Sequence, residues 1–178
     1  MIRNLQNEKA VLAALASTFR NLPEGLKNSI EPQWKRSAPN QPEWVSRPEN
    51  GPHHHRVRLM PPGRPRRPLD FWDGIICFYE LGIGNYGGRD GSQVQFLMGG
   101  NQAKCGDKRH NSGVDAILRV AAAKRADFRY KPIAVNKYVS FVKFSPSTDP
   151  EHMGRDMAWL IAETLPKFLG LPDEGEAQ

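Results

Sequence analysis

Acidic residues are almost missing from one stretch of this chain, and cysteine is scarce throughout. The two cysteines, Cys77 and Cys105, are too few for a disulfide framework, which excludes the small secreted scaffolds that depend on one. A reducing, cytoplasmic setting is therefore expected. No run of about 18 apolar residues occurs, so no membrane-spanning helix and no membrane partner are expected. Residues Met1 to Glu8 lack the apolar segment of a secretory signal. No internal repeat is present, which excludes a solenoid or propeller.

The signatures of several enzyme classes are also missing. Gly82-Ile83-Gly84-Asn85-Tyr86-Gly87 spells G-x-G-x-x-G after a strand-like run. A dinucleotide site needs a helix to open at that turn, with its free amides on the pyrophosphate. Here the next segment reads as a strand, and no acidic strand end follows about 20 residues on. The kinase H-R-D and D-F-G motifs are absent. Cys105, Asp107 and His110 do not have zinc-finger spacing, and no second cluster completes a ligand set. His53, His54 and His55 are adjacent, so in an extended chain at most two could converge on a metal. No serine sits on a nucleophile elbow, and Cys77 lies in an apolar run that suits an inert thiol. No cofactor is expected.

What is present is a concentration of positive charge. Between Pro32 and Pro68 stand eight basic residues, Lys35, Arg36, Arg47, Arg56, Arg58, Arg64, Arg66 and Arg67, against only Glu43 and Glu49. Their sum, +6, equals the net charge of the whole 178-residue chain, so the remainder is neutral. The same window holds nine of the 15 prolines. Such an asymmetry points to a polyanionic partner, DNA or RNA, held by its phosphates. The expected contact set is Arg56, Arg58, Arg64, Arg66 and Arg67, joined by Arg89, Lys104, Lys108 and Arg109. Tyr86 in the glycine-rich segment and Tyr130, between Arg129 and Lys131, are the aromatics best placed to stack on bases.

Two other function classes are consistent with the residues. A metal-dependent phosphodiester hydrolase would use clustered carboxylates to hold Mg2+, and Asp70, Asp73 and Glu80 around the central strand are the candidates. Glu80 stands in an apolar run, where a carboxylate is costly unless paired, so an arginine or lysine partner is the simpler reading. A protein-interaction module would instead present extended segments of residues 32–68, such as Pro61 to Pro65, to a protein partner.

Hydrophobic periodicity supplies the fold. Asn4 to Leu22 reads as a helix with Leu5, Leu12, Leu15, Phe19 and Leu22 on one stripe, packed on its own domain rather than in a coiled coil. Pro23-Glu24-Gly25 ends it, and Leu26 to Ile30 suits one further turn. His55 to Met60 alternates as an edge strand would. Gly74 to Leu81 is apolar on both faces and reads as a central strand. Gly82 to Gln93 reads as a loop with five glycines, leading to a strand at Val94 to Met98. After a polar loop, Asn101 to Asn111, Ser112 and Asp115 resemble a capping box ahead of a helix carrying Val114, Ile117, Leu118 and Ala121. Tyr138 to Phe144 is a strand. A last helix is capped by Asp149, starts at Pro150 and buries Met153, Met157, Leu160, Ile161, Leu165 and Phe168. The expected fold is α+β, a small antiparallel or mixed sheet of three to five strands packed by two or three helices. Residues 1–31 and 69–172 form one domain, 32–68 the basic arm and 173–178 a tail.

Overall fold

The computed structural model describes residues 2–33, 35–38, 41–43, 55–60, 77–86, 89–98, 108–130, 139–145 and 149–171. They form an α+β arrangement. Four helices are described: α1 (Ile2–Asn21), α2 (Glu24–Lys27), α3 (Lys108–Ala123) and α4 (Pro150–Phe168). The strands are β1 (Glu31–Gln33), β2 (Lys35–Ala38), β3 (Gln41–Glu43), β4 (His55–Met60), β5 (Cys77–Tyr86), β6 (Arg89–Met98), β7 (Arg129–Tyr130) and β8 (Val139–Ser145). The main sheet is antiparallel throughout, in the order β1-β4-β5-β6-β8-β7, and β2 pairs with β3 in a separate hairpin. The long central strands are the ones that sequence periodicity marks. Short β1 and β7 extend the sheet at either side.

Strand alternation divides the residues of the central strands between two faces. Val57, Leu59, Tyr79, Leu81, Ile83, Val94 and Phe96 form one face and are buried in the core beneath the helices. The Tyr79 and Phe96 rings meet edge to face, and Phe96 stacks on Phe168 of α4 at 4.9 Å between centroids. Thr164 donates its hydroxyl proton to the Leu160 carbonyl at 2.6 Å, so the Tyr79 hydroxyl is the donor in its 2.6 Å contact with Thr164 Oγ1. This bond satisfies a tyrosine with no exposed surface.

α4 begins as its sequence dictates. The Asp149 side chain accepts from the Glu151 amide at 3.1 Å, and Pro150 fills the first turn, where no amide is needed. Its apolar stripe is buried as expected. Pro166 does not break the helix. Gly170, at φ +66°, completes a Schellman turn in which Leu171 N donates to Pro166 O and Gly170 N to Lys167 O.

α1 and α4 pack closely along their lengths because Gly154 faces Ala14 and Ser17. A Cβ on Gly154 would lie 2.3 Å from Ser17 Cβ and 2.7 Å from the Ala14 carbonyl oxygen. On α1 the buried stripe runs through Val11, Ala14, Leu15, Thr18 and Leu22, while Leu12 is 44% exposed. Of the expected stripe, Leu15 and Leu22 are buried and Phe19 packs against the core, while Leu12 turns outward and Val11 takes the inward place beside it.

Three element boundaries differ from the periodicity reading. Gly82 to Gln93 is mostly strand: β5 and β6 stay in register as far as Tyr86 opposite Arg89, with only residues 87 and 88 between them. β4 is not an edge strand, because β1 pairs with its outer side. α3 begins at Lys108, ahead of Ser112, so Ser112 and Asp115 lie inside the helix; Asp115 accepts from Arg119 Nε at 2.6 Å instead of capping.

Candidate functional site

Among the sheet residues that alternate with the core face, polar side chains gather beside the buried Phe78. In register across three strands stand Arg58, Glu80 and Gln95, and beside them Arg56, Gly82 and Gln93. Of these, Glu80 is 1% exposed and Arg56 8%. Antiparallel pairing places the Arg58 and Gln95 side chains on either side of Glu80, within reach of its carboxylate.

That carboxylate is fully engaged. Glu80 Oε1 accepts from Arg56 Nη1 at 3.1 Å and from Gln95 Nε2 at 3.0 Å. Glu80 Oε2 accepts from Arg58 Nε at 3.3 Å. The Arg58 guanidinium also lies over the Phe78 ring, 4.3 Å from its centroid. The expectation that Glu80 pairs with a cation is met twice over. Glu80 does not end the strand; it sits within β5. The sequence offers no direct sign of Gln95, because its position opposite Glu80 depends on how far the hairpin pairs.

A second charged cluster links the end of α3 to α4. Arg125 Nη2 lies 2.6 Å from Asp127 Oδ2, Arg125 Nη1 lies 3.0 Å from Asp156 Oδ1, and His152 Nε2 lies 3.3 Å from Asp156 Oδ2. The guanidinium rests over both Phe128 and Trp159, whose rings stack at 5.0 Å. The hydrogen bond to Asp127, with the charge of Asp156, raises the Arg125 pKa above its ordinary value against the opposing effect of burial. Stability from a raised pKa is present below the unfolded value and lost only above it, so this cation does not titrate near neutrality. Asp156, buried among the methionines and leucines of α4, could have been suspected from its place in that stripe.

The remaining sequence candidates are dispersed over several elements. Arg89 opens β6, beside the hairpin turn. Lys108 and Arg109 are the first two residues of α3, rather than part of a loop, and no acidic residue shares that first turn. Tyr130 lies in β7 with the Arg119 guanidinium 5.3 Å from its ring centroid, so its ring is already occupied on one side, and its buried hydroxyl has no hydrogen-bond partner among the described residues. Arg64, Arg66, Arg67, Lys104, Asp70 and Asp73 lie outside the described residues, as do His53, His54, Cys105 and Asp107.

In the G-x-G-x-x-G segment Gly82 to Tyr86 are strand, and Gly87 lies outside the described residues. Gly82 and Gly84 belong to β5, β6 follows at once, and no helix opens at the turn. Gly84, at φ +142°, faces Gly91 directly across the hairpin. The glycines therefore serve backbone geometry there, and no set of helical amides exists for a pyrophosphate. Among the described residues no group of three His, Cys, Asp or Glu side chains could hold a metal ion, and no helix is long and apolar enough to cross a membrane. No family model matches the chain, and neither the curated proteins nor the solved structures include a match to it.

Proposed function

We propose that the chain is a non-catalytic nucleic-acid-binding protein that grips the phosphate backbone of DNA or RNA through its arginine-rich arm, in the reducing interior of a cell. The observation that carries this reading is the +6 charge gathered between Pro32 and Pro68 on an otherwise neutral chain. A balanced chain with one concentrated cationic segment attracts anions to that segment, and a phosphate backbone is the commonest extended anion it can meet. Arginine suits this task because its planar fork donates to two phosphate oxygens at once. The proposed contacts come from the nine expected from the sequence, Arg56, Arg58, Arg64, Arg66, Arg67, Arg89, Lys104, Lys108 and Arg109, of which Arg56 and Arg58 already pair with Glu80. Lys108 and Arg109 open a helix without an acidic neighbour in its first turn, an unfavourable place for cations that a bound phosphate would relieve.

The hydrolase alternative gains nothing from the geometry. Glu80 accepts from two guanidinium groups and an amide, which leaves Asp70 and Asp73 as its remaining acids. Fluorescence anisotropy with labelled single-stranded and duplex oligonucleotides tests the proposal, with Mg2+, with Mn2+ and with EDTA. Binding without cleavage in all three supports it. Metal-dependent cleavage transfers the chain to the hydrolase class. Failure to bind any oligonucleotide at low salt removes the nucleic-acid reading.

A further inference from the structure

We propose that Glu80 is an internal counter-anion that withholds Arg56 and Arg58 from the polyanion, so that the arginines of the basic segment divide into a structural pair and a binding group. The inference rests on the nucleic-acid reading and adds to it an account of which cations reach the partner.

Four observations carry it. Both guanidinium groups already donate to a carboxylate, at 3.1 Å and 3.3 Å, which is the same chemistry a phosphate would offer them. Arg56 is 8% exposed, so a phosphate could reach it only by opening the cluster. One face of the Arg58 guanidinium is covered by Phe78, and its side chain is 19% exposed. Both arginines project from β4, which is paired on one side to β1 and on the other to β5. The opposite face of β4 is the core itself, where Val57 and Leu59 lie, so the register gives the two arginines no second face on which to meet a partner. Glu80 thus occupies, inside the protein, the place a phosphate would take outside it.

The consequence is a count. Nine cations are candidates from sequence, and withholding two leaves seven. On duplex DNA each contact contributes about −0.9 to the slope of log affinity against log salt, so the wild type should reach at most about −6 rather than about −8.

The deciding variant is the charge-free triple Arg56→Met, Arg58→Met, Glu80→Met, chosen because apolar residues of similar volume can replace a buried ion cluster without unfolding the protein. Circular dichroism establishes that it is folded. Its salt slope on a labelled duplex should match that of the wild type, and its affinity should agree within about twofold. A slope shallower by about two, with a matching loss of affinity at low salt, would show that Arg56 and Arg58 touch the partner and would overturn the proposal. A flat wild-type curve is a different outcome: it retires the nucleic-acid reading, and this inference with it, before any variant is compared.

Discussion

Glu80 is the residue on which the polar cluster depends. Its two oxygens receive three donors from two neighbouring strands, so removing its charge strands Arg56 and Arg58 beside one another. Glu80→Gln should lower the unfolding free energy by about 3–5 kcal/mol, the usual penalty for breaking a buried pair from one side. The charge-free triple should cost far less, and urea denaturation of both variants checks the difference. The need for a partner was legible in the sequence, because a carboxylate between Tyr79 and Leu81 is costly to leave alone. The partners were less so. The alternation of His55 to Met60 placed Arg56 and Arg58 on a common face, but Gln95 came within reach only through the register of β5 and β6.

Glycines give a sharper contrast at the same scale. Gly154→Ala sets a methyl group against Ser17 and the Ala14 carbonyl, and backbone cannot yield as a side-chain tip can. The substitution should destabilise by about 1–3 kcal/mol. Gly113→Ala, inside α3 with nothing within 4 Å of the added carbon, should stabilise by about 0.5–1 kcal/mol. Thermal unfolding of the two variants should therefore shift in opposite directions. Nothing in the sequence separates these two glycines, since each sits in a helical pattern. Only the approach of α1 to α4 tells them apart.

At the scale of elements, α4 was the most legible part of the chain. An N-cap, a proline at the first turn, an apolar stripe and a glycine stop all agree, and the helix runs between the boundaries they set. Asp149→Ala should cost about 0.5–2 kcal/mol by freeing the Glu151 amide. Gly170→Ala should cost about 1 kcal/mol, because a side chain resists its φ of +66°. Chemical denaturation of each single variant measures both. The β5–β6 hairpin was read less well. Five glycines between Gly82 and Gln93 look like a loop by propensity, yet three of them, Gly82, Gly84 and Gly91, lie in the ladder, which pairs β5 with β6 as far as Tyr86 opposite Arg89. Gly84 and Gly91 meet face to face, so neither introduces a side chain that would have to find room. Tertiary pairing overrode local preference there. α3 shows the same effect at its start, where Lys108 to Asn111 join the helix ahead of the apparent capping box. The two-residue β7 carries too short a pattern to be seen at all.

At the scale of the molecule, helices lie against one face of an antiparallel sheet, and the other carries the Arg56–Glu80–Arg58 cluster. The hydrophobic pattern dictates the first arrangement, since the inward residues of β4, β5 and β6 alternate and the stripes of α1 and α4 match them. The charge distribution bears on function. It was legible in the sequence as a total, but its division was not: the count of arginines between Pro32 and Pro68 does not say that Arg56 and Arg58 turn inward to Glu80. Arg64, Arg66 and Arg67 remain the densest group of cations in the chain, three within four residues.

The central claim is that this group holds phosphates. The most direct test is the salt dependence of duplex affinity for the wild type and for the variant Arg64→Gln, Arg66→Gln, Arg67→Gln. The account predicts a steep negative slope for the wild type and one shallower by about 2.7 for the variant, at about 0.9 for each lost contact. A wild-type affinity that does not change with salt, or a variant whose slope equals that of the wild type, would contradict it.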